Sequence, residues 1–226
     1  MNTRSQNELL HRLQAITFFR DLPVELLLGL CQGALWIDYM PGEVVFLEGE
    51  RLPGLHLIEH GWLKVVKSSP DGREQVLRFI GPGETFNEIG VFANRPNPAT
   101  GIALEQTGMW LLRREAIHQL LLEKPEFAQY IIEAMADRII DLVGMVADLS
   151  LRPVAGRLAR LILQDSQDDI LHRPRWYTQT ELAARVGTVP DVVQRALRAL
   201  EDEGLIELDR HQIRIRDRSA LEKLIS

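Results

Sequence analysis

One cysteine, Cys31, serves the whole 226-residue sequence. This excludes an internal disulfide framework and any zinc or iron–sulfur centre built from the cysteines of one chain. Cys31 itself reads as a small buried residue. Long apolar runs are also missing. None approaches the roughly 20 residues that a membrane-spanning helix needs, and the opening MNTRSQNELL is too polar for a secretory leader. A cytoplasmic protein with no membrane partner is expected. The motifs of common enzyme classes are absent: there is no His-Glu-x-x-His cluster, no Gly-x-Ser-x-Gly elbow and no P-loop. Gly81, Gly83 and Gly90 read as turns, and no enzyme activity is expected.

The sequence lacks a basic excess as well. Its net charge of −6 argues against a nucleic-acid partner until the distribution is considered. Residues 151–226 hold 13 of the 26 Lys and Arg and 12 of the 32 Asp and Glu, a net of +1, and residues 1–150 carry −7. The acidity belongs to the first two thirds.

The patterns that are present divide the chain into three. Residues 7–35 read as short helices: Leu9, Leu10, Leu13 and Ile16 fall at helical spacing, and Leu26, Leu27 and Leu30 follow a turn at Asp21-Leu22-Pro23. From Gly42 to Leu112, short alternating runs such as EVVFLEGE and GLHLIEHGWLKVVK are separated by Pro70-Asp71-Gly72 and Pro82-Gly83, the texture of an antiparallel sandwich or roll. Residues 126–150 form the longest helical pattern. There Ile132, Met135, Ile139, Leu142, Val146 and Leu149 step by three and four, the spacing of a coiled-coil seam that a second copy could cover. Ile131, Ile140 and Val143 lie off the seam and give the helix a second face that can pack on the roll. A single amphipathic core helix would give the same pattern over so few heptads. Leu151-Arg152-Pro153 ends it and marks a hinge.

In the last third, Pro190 falls among apolar residues at helical spacing, where an interior proline would cost roughly 3 kcal/mol. Leu182, Ala183 and Val186 form one apolar face ahead of Gly187, and Val193, Ala196, Leu197 and Leu200 form another after it. Two short helices joined by a glycine turn make a helix-turn-helix, and Pro190 begins its second helix. Asp191, Gln194, Arg195 and Arg198 then share the opposite face, with hydrogen-bonding groups suited to base edges in a major groove. A solvated charged face is the ordinary alternative. Thr178 and Gln179 can hold phosphates at the start of the first helix, Thr188 sits in the turn, and LIELDRHQIRIR reads as a two-stranded wing.

Taken in order, PGEVVFLEGE, Gly61, GPGETFNEIGVF, the long helix and the winged helix resemble the CRP/FNR family of bacterial transcription regulators over nearly the whole chain. The resemblance implies an α+β protein with an N-terminal cyclic-nucleotide-binding-like β-roll (1–124), a long dimerisation helix and hinge (125–152), and a C-terminal winged helix-turn-helix (153–226). It implies a homodimer on a palindromic operator in double-stranded DNA, with RNA polymerase as protein partner and a small effector in the roll. The implied effector site is Gly83, Glu88, Ile89, Gly90, Pro98, Ala99, Thr100, Arg138 and Leu142. In members that bind cyclic AMP, a Glu at the position of Glu88 holds the ribose and an Arg-Ser-Ala segment pairs with the phosphate. Here Pro98-Ala99-Thr100 replaces that segment, and Leu142-Val143 replaces an adenine-contacting Thr-Ser pair, while Arg138 still matches an arginine. Arg95 could substitute only on a different loop path, so cyclic AMP is not expected.

Haem-binding members, which respond to nitric oxide or carbon monoxide, remain an alternative, because RPNPAT is similar to a loop of the nitric-oxide-responsive regulators of denitrification. Haem would need an axial ligand from His11, His56, His60 or His118. Members that respond to cyclic AMP carry Arg, Glu and Arg at the positions of Pro190, Asp191 and Arg195 and read a TGTGA-like half-site. Because Pro190 cannot donate, a half-site closer to TTGAT is expected. A ligand-binding subunit whose winged helix docks on protein is the competing function.

Overall fold

The structure, a computed structural model, describes residues 6–20 and 22–225, apart from the side chains of residues 17 and 18. Residues 1–5 of the polar opening and Asp21 of the expected turn lie outside the described residues. The chain forms two compact units, one of residues up to 67 with 77–138 and one of residues 68–76 with 139 onward.

In the first unit, the early leucine spacing becomes α1 (Gln6–Ala15), α2 (Thr17–Arg20) and α3 (Val24–Gln32). Leu9, Leu13, Leu27 and Leu30 face inward, and Cys31 is buried, its thiol pushed up to about 11 by burial. Strands β1 (Leu35–Tyr39), β2 (Val44–Phe46), β3 (Gly54–His60), β4 (Leu63–Ser68), β5 (Glu74–Ile80) and β6 (Thr85–Phe86) follow. Helix α4 (Glu88–Ala93), strands β7 (Thr100–Ala103) and β8 (Thr107–Arg113) and helix α5 (Arg114–Glu123) complete the roll. Two four-stranded sheets, β1-β8-β3-β6 and β2-β7-β4-β5, make the expected antiparallel architecture.

The sheet holding β3 is covered on both sides, which explains its nearly unbroken burial. Side chains alternate across a strand. Leu55 and Leu57 therefore meet the helices, in a cluster with Leu9, Leu27, Ile117 and Phe127, while Ile58 meets Phe46, Leu63 and Phe86 inside the roll. His56 shares the parity of Ile58 and stacks on Phe86, with ring centroids 4.7 Å apart.

Helix α6 (Pro125–Leu151) is the longest element, at 27 residues. Phe127 anchors its start, stacked on Phe19 at 5.6 Å, and Ile131 packs against the same cluster. Beyond that point Ile132, Ile139, Leu142 and Val146 are at least half exposed, while Met135 is half-buried. Of the off-seam residues expected to pack on the roll, Ile131 packs inward, but Ile140 and Val143 stay 67% and 63% exposed.

The second unit continues after Pro153 with α7 (Val154–Asp165), β9 (Ile170–His172), α8 (Gln179–Val186), α9 (Pro190–Asp202), β10 (Ile206–Leu208), β11 (Gln212–Ile215) and α10 (Arg218–Lys223). Leu158, Ile162, Leu182, Val193, Leu197 and Leu200 are buried, as helical spacing requires. The wing has three strands, not two, because β9 pairs with β11 through His172 and Gln212. Three apolar-polar residues bounded by a charged turn are too short to announce a strand by periodicity.

Candidate effector cleft and DNA-reading helix

Glu88 opens α4 behind Asn87, which takes the left-handed conformation at φ 72° and is buried. The Asn87 amide donates to the Gly54 carbonyl at 2.8 Å, and the Asn97 amide donates to Asn87 Oδ1 at 3.2 Å. These bonds satisfy polar groups that would otherwise be costly to bury. They also fix the loop that carries Glu88. Gly90 is no turn: it lies within α4, where a Cβ would come within 2.4 Å of Asn87 Oδ1.

Glu88 meets Arg138 in a two-pronged pair, with 2.6 Å between Nη2 and Oε1 and 2.6 Å between Nη1 and Oε2. The Thr85 hydroxyl donates to Oε1 at 2.7 Å. Burial pushes the Glu88 carboxyl up, but the hydrogen bonds and charge of Arg138, with Thr85, more than offset this and hold it below the usual carboxylate range. Its oxygens are thereby committed to protein groups.

The replacement segment supplies no cation of its own. Pro98 is exposed, Ala99 is buried, and the Thr100 hydroxyl accepts from the Glu48 N–H at 3.1 Å. Arg95 is exposed, with its N–H donating to Ile89 O at 3.4 Å. Lys67 of β4 brings a charge that sequence spacing had not singled out: its ammonium donates to Pro98 O at 2.8 Å and pairs with Glu48. Only the alternation of β4 hinted at where Lys67 would point.

A cleft of about 610 Å³ opens beside this pair, lined by Arg12, Arg78, Glu84, Thr85, Tyr130 and Arg138. That volume suits a small molecule. Among the expected effector residues Gly83 and Arg138 line it, whereas Glu88, Ile89, Gly90, Pro98, Ala99, Thr100 and Leu142 do not. Its arginines are paired: Arg12 with Glu59 at 2.6 Å, Arg78 with Glu84 at 2.6 Å, and Arg138 with Glu88.

No histidine lines the cleft. His56 is buried beneath Phe86 and burial pushes its imidazole down to about 4. His118 lies 2.8 Å from Val91 O, and His60 stacks on Trp36. His11 is exposed. The residues present therefore do not fit a haem in this cleft.

In the second unit, the Thr178 hydroxyl accepts from the Glu181 N–H at 3.3 Å and caps α8. Gly187 ends that helix at φ 69°, a left-handed conformation that favours glycine, and the Thr188 N–H returns to Ala183 O at 2.9 Å. Pro190 then occupies the first turn of α9, where its missing N–H has no intrahelical partner to lose. Arg185 clamps α8 to α7 by pairing with Asp165 and donating to Tyr177 Oη at 2.9 Å. Burial of Tyr177 pushes its phenol up to about 12. The spacing of residues 165, 177 and 185 carried no motif, so this clamp was not legible beforehand.

Val193, Leu197 and Leu200 turn α9 onto the core, leaving Asp191, Arg195 and Arg198 exposed on the other side and Gln194 half-buried at its edge. Among the described residues, Arg195 and Arg198 have neither a hydrogen bond nor an ion pair. Gln179 begins α8.

The cyclic nucleotide-binding domain family matches residues 36–124 and the Crp-like helix-turn-helix domain family matches residues 156–224, in the order the two units require. The chain belongs to the CRP/FNR family of transcription regulators. It is 29% identical over 191 residues to the CRP-like cAMP-activated global transcriptional regulator of Mycobacterium tuberculosis, covering 82% of this chain and 85% of that one. With the cyclic AMP receptor protein of Thermus thermophilus it shares 28% identity over 82% of this chain and 86% of the other. The fold is similar to that of FixK2 from Bradyrhizobium japonicum, with a TM-score of 0.76, 20% identity, and coverage of 85% and 98% of the two chains. Like other CRP/FNR proteins, it is a DNA-binding transcription regulator with an effector-binding domain, not an enzyme. No helix among the described residues is long and apolar enough to cross a membrane.

Proposed function

We propose that the protein is a homodimer that reads a palindromic duplex operator under the control of a small effector other than cyclic AMP. The observation that carries the base-reading assignment is the uncommitted polar face of α9. Asp191, Arg195 and Arg198 are exposed there with Gln194 half-buried at the edge, and among the described residues no protein group pairs with the two guanidinium forks. Thr178, Gln179 and Thr188, around α8 and the turn, are the phosphate-contacting set. Two α9 helices related by a two-fold axis meet successive major grooves about 34 Å apart, which sets the half-site spacing. With Pro190 at a guanine-reading position, a TTGAT-like half-site follows. Salt dependence separates this reading from docking on protein, since phosphate contacts release counterions in proportion to their number.

Dimerisation is assigned to Ile132, Met135, Ile139, Leu142, Val146 and Leu149. Ile132 is 68% exposed and Val146 63%, far beyond what an ordinary core helix leaves in water. Leu142→Glu places an unpaired charge in each half of the seam, at a cost of several kcal/mol. The variant should elute as a monomer and lose operator binding, and persistence as a dimer at micromolar concentration would remove the seam from the account.

For the effector, two features argue against cyclic AMP although relatives carry that ligand in their names. Glu88 is committed to Arg138 and Thr85, and at Pro98, which carries no charge, the nearby Lys67 ammonium is already engaged by the Pro98 carbonyl and Glu48. Calorimetry should detect no specific cyclic AMP binding; micromolar affinity with a matching gain in operator binding would overturn that assignment. Haem is the weaker alternative because no histidine lines the cleft. For these roles we divide the chain at 124 and 152, with Leu151-Arg152-Pro153 as the hinge, RNA polymerase as the protein partner and the cytoplasm as the working compartment.

A further inference from the structure

The break between α6 and α7 is bridged by a single carboxylate. Pro153 disfavours helical backbone at Arg152 and so ends α6, and α7 starts behind it with no side-chain cap bond. Neither feature fixes the angle between the two helices. Asp148, in the last turn of α6, spans the break: its Oδ1 accepts from Arg152 at the hinge and from Arg160 Nη1 of α7 at 2.9 Å. Arg152 Nε donates in turn to the Ile225 carbonyl at 2.8 Å. The three side chains are between 19% and 27% exposed, so these pairs are less screened than surface ones.

Two close approaches accompany the bridge. Gly144 stands in the interior of α6, where glycine weakens a helix. A Cβ there would come within 2.9 Å of Arg160 Nη2, so the glycine leaves room for the guanidinium to lie across the helix. One residue past Asp148, Leu149 backs the turn before α9, where a Cβ on Gly187 would come within 2.4 Å of Leu149 Cδ2. All of these residues belong to the second unit. Two reading helices on a palindrome must be held a fixed distance apart, and a free hinge would lose affinity through the freedom it surrenders on binding. We propose that Asp148 is a positioning residue: by pairing with Arg152 and Arg160 across the hinge, it sets the half-site spacing that the dimer accepts. The proposal rests on the dimeric, palindrome-reading assignment, but Asp148 is in neither the seam nor the base-reading set.

The test titrates the full-length protein against the palindrome it selects and against copies with one central base pair added or removed, which turns one half-site by about 35° relative to the other. Wild type should reach the altered spacings only by opening the Asp148 bridge, with a loss of about tenfold or more in affinity, the worth of hydrogen bonds to charged groups. Asp148→Ala puts a good helix former in place. It should elute as a dimer, bind a duplex carrying one half-site as wild type does, and lose most of the discrimination between spacings. Arg160→Gln should do the same from the other side of the hinge, and the double variant should lose no more than either single one. A pair that only stabilises the fold would instead lower the melting temperature and weaken binding to all duplexes alike, and that result overturns the proposal. So does a wild type indifferent to spacing, or an Asp148→Ala protein as strict as wild type. If wild type selects no palindrome, the dimeric reading itself falls and takes this proposal with it.

Discussion

Arg138 and Arg195 have the same side chain in opposite states. Arg138 lies in the roll unit with its fork closed on a buried carboxylate at 2.6 Å, whereas Arg195 projects from α9 with no partner among the described residues. The contrast extends to their surroundings. Around Arg138, Thr85, Asn87 and Asn97 are buried and hydrogen-bonded, as low-dielectric surroundings demand. On α9, Asp191, Arg195 and Arg198 are left to solvent, so their bonding capacity is available to the edges of a base pair. One region spends its polar groups on holding its own shape, and the other keeps them in reserve for the groups of a base pair.

Breaking the paired side should have the largest effect. Arg138→Ala leaves the Glu88 carboxylate buried without its counter-charge and should cost about 3–5 kcal/mol in urea unfolding at neutral pH. The loss should shrink in mild acid, where Glu88 can take up a proton, and Glu88→Gln in the same chain should recover most of it. In wild type the sign is reversed. The depressed Glu88 carboxyl contributes stability that is present above its unfolded range and lost as pH falls through its folded one.

His56 sharpens the same side of the comparison. Its folded value of about 4 lies below the ordinary 6.5, so its contribution is full above 6.5 and lost as pH falls toward 4. Unfolding free energy should drop by about 3 kcal/mol across that window. His56→Phe, which keeps a ring to stack on Phe86, should flatten the slope; an unchanged slope would move the titration elsewhere. The smallest effect is expected at the edge of the open side. Thr178→Ala removes the cap of α8 and should cost about 1 kcal/mol of stability, read from the chemical denaturation midpoint.

The helices and the helix-turn-helix were legible in the sequence because periodicity and end signals agreed: Leu182, Gly187, Pro190 and Leu197 each satisfied a local rule. The roll was legible only as texture. Its strands are short, and β3 is buried on both faces, which erases the alternation that reveals a strand. The pairing of Glu88 with Arg138 joins residues 50 apart, and the contacts of Lys67 with Pro98 and Glu48 depend equally on tertiary approach. Gly90 misled because a glycine signals a turn and a close approach alike, and the contact with Asn87 that decides between them is not local.

The central claim is that the exposed face of α9 reads bases. It is tested most directly by parallel selection from random duplexes with wild-type protein and Arg195→Ala. Wild type should recover a palindrome with half-site centres about one helical turn apart. Arg195→Ala should recover the same spacing with preference lost at one guanine in each half-site, a loss of roughly 1–3 kcal/mol of discrimination. An Arg195→Ala protein that returns the wild-type motif with undiminished preference at every position would contradict the account.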